Sequence, residues 1–196
     1  MTRRLELGAD TVMRLIPHRR PFLFLDGVDS FVRGPKPTLE GHKQVSANEP
    51  VFEGHFPGLS LWPGVYTVEG MGQAVNALLV LLAIVEGFER RGLTEADALD
   101  ALRGIDARHR LGRRAPSEIE AGLIAQLADP TARVGLAGAI DVKLAEPVFA
   151  GCTLRYRVTL ERALGSARRF QVEATVEGRP VARGAITSAL PDAFPT

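Results

Sequence analysis

Apolar residues are spread unevenly along this 196-residue chain, and their spacing changes character several times. From Val65 to Val85 there is no proline, and Val, Leu, Ala and Met occupy nearly every face of a helical period. That pattern predicts a helix buried on most sides, roughly 30 Å long at about 1.5 Å per residue. Pro63-Gly64 opens it. Upstream, Phe22 to Val32 concentrates aromatic and aliphatic residues, as a strand does, and Gly34-Pro35-Lys36-Pro37 is a turn. Thr38 to Val45 alternates crudely, so the two segments predict an antiparallel hairpin. Near the start, Asp10 is expected to cap a short helix that runs to Ile16 and stops at Pro17.

Downstream of the long helix the pattern breaks. Residues 86–133 are more polar and are expected to form an insertion. Within them Thr94 to Leu102 reads as a capped amphipathic helix, His109 to Arg114 as a basic run, and Ser117 to Leu127 as a short helix. Val134 to Leu144, Thr153 to Ala163, Ala167 to Glu177 and Arg179 to Leu190 then read as strands, with Gly165 and Gly178 at turns. The last three predict a meander, and the tail from Pro191 is expected to be loose. A long helix against an antiparallel sheet is an α+β arrangement, here in a single domain spanning residues 1–196.

Composition narrows the classes. The chain is 45% hydrophobic and 24% charged with a formal net charge of +1, so no global field directs it to nucleic acid. The single cysteine, Cys152, excludes an intramolecular disulfide. Met1 to Glu6 turns polar at once, which does not suit a signal peptide, and the cytoplasm is the expected location. The most apolar run, Ala74 to Val85, falls near the minimum for a membrane span even when extended to Val65, and then includes Glu69, Gln73 and Asn76. It is read as a core helix, with no membrane span. No metal-ligand spacing and no phosphate-binding glycine loop is present, so neither metal nor cofactor is expected.

The segment Asn48 to Gly64 mixes glycine and proline with Phe52, Phe56, Leu59, Leu61 and Trp62. A loop this apolar packs against something and is a natural carrier of function. Glu69 is unusual too, because an unpaired charge in an apolar helix is expensive. Three stretches give these residues a context: Leu15-Ile16-Pro17-His18-Arg19-Arg20-Pro21-Phe22-Leu23; Asn48-Glu49-Pro50-Val51-Phe52-Glu53-Gly54-His55-Phe56-Pro57-Gly58; and Pro63-Gly64-Val65 continuing to Glu69, Met71 and Gln73. Together they resemble the FabZ-type 3-hydroxyacyl-acyl-carrier-protein dehydratases. Glu146-Pro147-Val148-Phe149-Ala150-Gly151 is a weaker match of the same kind. Trp62, Gly70, Gly72 and the long 86–133 segment depart from the family pattern. Gly70 and Gly72, which stand where the family has alanines, suggest close approach by substrate or by another backbone.

The resemblance implies a hot-dog fold, an antiparallel sheet wrapped around a long helix. It also implies a homodimer or higher homo-oligomer whose active sites are shared, with His from one chain and Glu from the other. The implied reaction removes water from a (3R)-3-hydroxyacyl thioester, carried on acyl carrier protein, to give the trans-2-enoyl thioester of fatty-acid or polyketide-type biosynthesis. His55 and Glu69 become the catalytic pair. Such chemistry needs a base, an acid and enolate stabilisation. Neutral His55 suits the base near pH 7, and burial is expected to raise the pKa of Glu69. The division of roles stays open: a concerted exchange, or His55 serving both steps, fits equally.

Gly64 is expected to offer its amide to the thioester carbonyl, with Val65 as a second donor at the helix start. Gln73, one turn after Glu69, is expected to orient the carboxylate, and His18 to brace the site. Phe56, Leu59, Leu61 and Trp62 are expected to line an acyl tunnel, the alternative being that they seal the dimer. Arg108, Arg110, Arg113, Arg114, Arg168 and Arg169 are candidates for meeting the acidic carrier, or else form a solvated face. Competing functions are a dehydratase with isomerase activity, a thioesterase of the same fold, and a non-catalytic carrier-binding subunit.

Overall fold

The computed structural model describes residues 3–112, 115–129, 134–165 and 167–189. Its elements in chain order are β1 (Arg3–Gly8), α1 (Ala9–Leu15), β2 (Gly27–Val32), β3 (Thr38–Val45), a 3-10 turn (Pro50–Glu53), β4 (Leu61–Trp62) and α2 (Gly64–Glu89). There follow α3 (Glu95–Leu111), α4 (Glu118–Gln126), β5 (Leu136–Leu144), β6 (Val148–Phe149), β7 (Cys152–Leu164), β8 (Ala167–Val176) and β9 (Arg179–Ala189). Among the described residues, seven strands form one antiparallel sheet in the order β1-β2-β3-β7-β8-β9-β5, and β4 pairs with β6.

Helix α2 lies against β3, β7, β8 and β9. The strands turn alternate residues toward it: Leu39, Gly41, Lys43 and Val45 from β3, and Leu154, Tyr156 and Val158 from β7. This is the period-two pattern of a half-buried strand. At 26 residues α2 is about 39 Å long. It is apolar enough to cross a membrane by composition, but 72% of its most apolar window is buried inside this fold.

Gly70 illustrates how closely the helix approaches the sheet. A methyl group there would come within 2.3 Å of the Tyr156 hydroxyl and 2.9 Å of the Phe24 carbonyl. The expected close approach by another backbone holds for Gly70, whereas the corresponding position on Gly72 meets nothing within 4 Å.

Several expectations need correction. β1 was not foreseen. Asp10 does not cap α1: Gly8 occupies the cap position without a side-chain bond, and Asp10 sits in the first turn. The Gly8 amide donates instead to Asp106 Oδ1 of α3, at 2.7 Å. The strand expected from Phe22 begins only at Gly27, because the backbone of Phe22 and Phe24 is taken by the Gln73 side chain. Helix α3 runs on to Leu111, so His109 and Arg110 of the basic run lie in its last turn, where cations suit the helix dipole. Thr94 caps it as expected, in a reciprocal box with Asp97.

The 86–133 segment is not a loose loop where it is described. Helix α3 packs on α1, α2 and β1. Asp106, 5% exposed, accepts from Gly8 and from Thr11 Oγ1 at 2.8 Å, and is paired with Arg110 at 2.7 Å. Helix α3 thereby fastens the corner from which α1 leads to His18.

Candidate active site

The loop that carries His55 is tied to the sheet by a charge. Lys43 points inward from β3 and is 6% exposed. Burying an ammonium without partners is costly, and here its partners are Glu49 at 2.6 Å and Asp26 at 3.2 Å. Glu49 is the cap residue just before the 3-10 turn Pro50–Glu53, and the His55 amide donates to the Val51 carbonyl at 2.9 Å.

His55 Nδ1 lies 2.9 Å from the Leu61 carbonyl. A carbonyl only accepts, so Nδ1 carries the hydrogen and a neutral ring leaves its lone pair on Nε2. Phe56 stacks on the imidazole with ring centroids 4.2 Å apart. A cavity of about 300 Å³ is lined by His55, Leu61, Trp62, Gly64, Thr67 and Leu144, among others. The amides of Gly64 and Val65 make no hydrogen bond among the described residues, whereas the next two amides turn back to the Pro63 carbonyl. A larger groove of about 520 Å³ crosses the outer face of the sheet between Lys143, Arg157, Glu173 and Arg183, and holds none of the expected site residues.

Glu69 faces another way. At about 3.6 residues per turn, Gly64 and Glu69 lie roughly 140° apart around α2, and Glu69 does not border the His55 cavity. Its Oε1 accepts from Gln73 Nε2 at 3.0 Å and contacts His18 Nε2 at 3.2 Å. Gln73 is fully buried and has its amide completely used: its oxygen accepts from the Phe24 amide at 2.8 Å, and its nitrogen also donates to the Phe22 carbonyl at 3.1 Å.

The expected rise in the Glu69 pKa is overturned. The bond from His18 lowers it, burial works in the opposite direction, and Gln73 lowers it further, leaving the carboxyl below its ordinary value. Desolvation loses because the side chain remains one-third exposed while two donors meet one oxygen.

The apolar candidates divide. Trp62 is 2% exposed, boxed by Phe24, Phe52 and Tyr66 at centroid distances of 5.7, 6.2 and 5.3 Å. It borders the His55 cavity together with Leu61, but Phe56 and Leu59 do not and are half-exposed. Among the arginines, Arg110 is spent on Asp106 and the Glu6 carbonyl, and Arg169 pairs with Glu161 at 3.1 Å. Arg108 has a buried guanidinium nitrogen, and Arg168 lies on β8. Arg113 and Arg114 lie outside the described residues.

Two supporting groups escaped sequence reasoning. One is Lys43, for which a lysine at an inward position of an alternating strand was the available signal. The other is Asp106, an acid on the apolar face of an amphipathic helix.

A FabA-like domain matches residues 16–100, a span that contains His18, His55, Gly64, Glu69 and Gln73. The 3-hydroxyacyl-[acyl-carrier-protein] dehydratase FabZ of Neisseria meningitidis is 48% identical over 77 residues, 39% of this chain and 50% of that protein. The enzyme of that name from Aeromonas salmonicida is 45% identical over 78 residues, 39% of this chain and 51% of its own. These matches span about half the length of those relatives. The FabZ of Cereibacter sphaeroides is 30% identical over 186 residues, covering 94% of this chain and 92% of that protein.

The chain belongs to the FabZ family. Its fold is correspondingly that of a hot dog, with the sheet curled around α2. The dehydratase heterocomplex ApeI:P of Xenorhabdus doucetiae shares this fold at a TM-score of 0.51 and 18% identity, over 92% of this chain and 91% of that one. The FabZ match therefore covers both halves of the candidate site, the loop that presents His55 and the helix face that presents Glu69.

Proposed function

We propose that this chain is a 3-hydroxyacyl-[acyl-carrier-protein] dehydratase, a hydro-lyase that converts a (3R)-3-hydroxyacyl thioester to the trans-2-enoyl thioester in fatty-acid or polyketide-type biosynthesis. The observation that carries this reading is the pair of complementary half-sites: an imidazole with a free Nε2 beside unused helix amides, and a carboxylate held on a separate helix face.

Neutral His55 takes the α-proton through Nε2. Negative charge then grows on the thioester oxygen and is met by the Gly64 and Val65 amides at the helix start. Glu69, held as a carboxylate, accepts the hydrogen bond of the 3-hydroxyl and aims the C3–O bond. As that bond breaks, the imidazolium returns its proton to the departing oxygen, releasing water. His55 ends neutral and Glu69 ends ionised, so the cycle closes without a cofactor.

One protomer does not bring Glu69 to the His55 cavity, so the partner is a second copy supplying the missing half. In support, β5 is an edge strand among the described residues, and Val65, Ile140, Leu144 and Phe149 are exposed apolar side chains, Leu144 at the rim of the His55 cavity. We read the chain as one domain with 86–133 inserted, working in the cytoplasm. Leu61 and Trp62 border the acyl end, where bulky Trp62 shortens it. Arg113, Arg114, Arg168 and Arg169 are the arginines proposed to meet the acidic carrier.

The test mixes two inactive variants, His55→Ala and Glu69→Gln, after subunit exchange. A shared site regains activity in about a quarter of sites, because each mixed dimer rebuilds one intact site. No regain, with each variant inactive alone, defeats the shared arrangement. Products separate the rivals: loss of water marks the dehydratase, free acid a thioesterase, a non-conjugated alkene an isomerase, and no conversion a binding subunit.

A further inference from the structure

The turn between α1 and β2 brings a second histidine to Glu69, and its chemistry can be followed atom by atom. Phe24's amide can only donate, so it fixes the Gln73 oxygen toward Phe24 and leaves the Gln73 nitrogen toward Phe22 and Glu69. Glu69 Oε1 thus faces a group that can only donate. His18 Nε2 faces the same oxygen, and His18 Nδ1 is buried with no partner. A hydrogen on Nδ1 would be an unpaired buried donor, and would turn the Nε2 lone pair toward a carboxylate. Nε2 therefore carries the hydrogen and donates it to Oε1.

Oε1 then has two donors and no room for a proton of its own. No hydrogen bond to Oε2 is made among the described residues. Arg19, next to His18, donates to the carbonyls of Ile16 and His18 at 2.9 and 2.7 Å. On its own helix Glu69 has only neutral Gln73 for a partner.

We propose that His18 is a positioning residue that, together with Gln73, selects the reacting oxygen of Glu69, leaving Oε2 as the atom that accepts the hydrogen bond of the substrate's 3-hydroxyl. This rests on the dehydratase reading. His18 itself is placed by the turn that follows α1. Ile16 is fully buried, the Phe22 amide donates to the Arg19 carbonyl at 2.8 Å, and the rings of His18 and Phe22 stack at 6.5 Å. Asp106 of the inserted α3 anchors the other end of α1 through Gly8 and Thr11. The insertion thus reaches the chemistry through α1 and His18. In the assembled site His55 of the partner subunit would be the second titratable group facing this carboxyl.

The experiment uses the full-length oligomer carrying His18→Ala or His18→Gln, with a carbon-13 NMR titration of the Glu69 carboxyl beside steady-state kinetics. In His18→Ala the carboxyl should titrate at higher pH than in wild type, because a donor to its ionised form is gone. Turnover should fall by on the order of tenfold to a hundredfold, with a much smaller change in KM, as misplacement of a reacting group predicts. His18→Gln, which keeps a neutral N–H donor, should restore most of both.

Unchanged Glu69 titration in both variants would overturn the proposal. So would equal loss of turnover in both with the titration unmoved, since that is the mark of a merely structural role. If wild type turns over no 3-hydroxyacyl thioester, the dehydratase reading falls, and the titration still decides whether His18 holds Oε1.

Discussion

The two halves of the site are built on opposite plans. Glu69 stands on a 26-residue helix, and its Oε1 is met by Gln73 and His18, with Gln73 anchored in turn to the backbone of Phe22 and Phe24. His55 stands on a loop, held by one carbonyl through Nδ1 and stacked on a half-exposed phenylalanine. The acid is fixed by a network in the interior. The base is fixed by a tautomer and by a loop pinned from a distance through Lys43. The difference teaches that orientation is supplied where charge must be aimed, whereas the proton-transferring ring needs one defined hydrogen and freedom to meet its partner.

The largest break of this comparison removes the base. His55→Ala should lower turnover by about 10²–10⁴-fold with little change in thermal stability, because the ring is only partly buried. A variant that keeps more than a tenth of wild-type turnover would remove His55 from the chemistry.

Gln73→Leu comes next and acts on both stability and activity. It strands the Phe24 amide in the core, at a cost of about 1–3 kcal/mol, seen as a lower melting temperature. It also removes a donor that depresses the Glu69 pKa. A depressed carboxyl contributes stability that is present above its unfolded value and is lost as pH falls through the lower folded value. In the variant that acid-side loss should move toward the ordinary carboxylate range, and an acid unfolding curve identical in shape to wild type would contradict the network.

The smallest effect on the chemistry sharpens the loop side. Lys43→Met leaves Glu49 and Asp26 without their cation and should cost about 1.5–3 kcal/mol. Turnover should fall severalfold while the Glu69 titration stays put. Movement of that titration would mean that the two halves are coupled within one protomer, contrary to their separate wiring.

Much of this was legible in the chain. The long helix could be read from a proline-free apolar run, and the meander from its turn glycines. The apolar loop, Glu69 in an apolar helix and Gln73 one turn beyond it stood out on physical grounds, whereas His55 and the thioester role of Gly64 were legible through the family motifs. Less could be read where tertiary contacts override local pattern. Phe22 to Asp26 has strand composition, yet its backbone is claimed by a glutamine from α2. Asp10 has the right type for a cap, but Gly8 takes the cap position, held from outside the helix by Asp106, far away in sequence.

What the sequence alone determined is the inventory: a long helix against an antiparallel sheet, an imidazole and a carboxyl at fixed spacing, and a helix start with free amides. Local periodicity and residue chemistry suffice for these, and the family resemblance adds the hot-dog layout. Only the tertiary structure decided that Glu69 has one oxygen occupied and its pKa lowered, that His55 keeps its lone pair on Nε2, and that Glu69 faces away from the cavity His55 lines. Each depends on which group approaches which atom, and that is set by packing between segments distant in the chain.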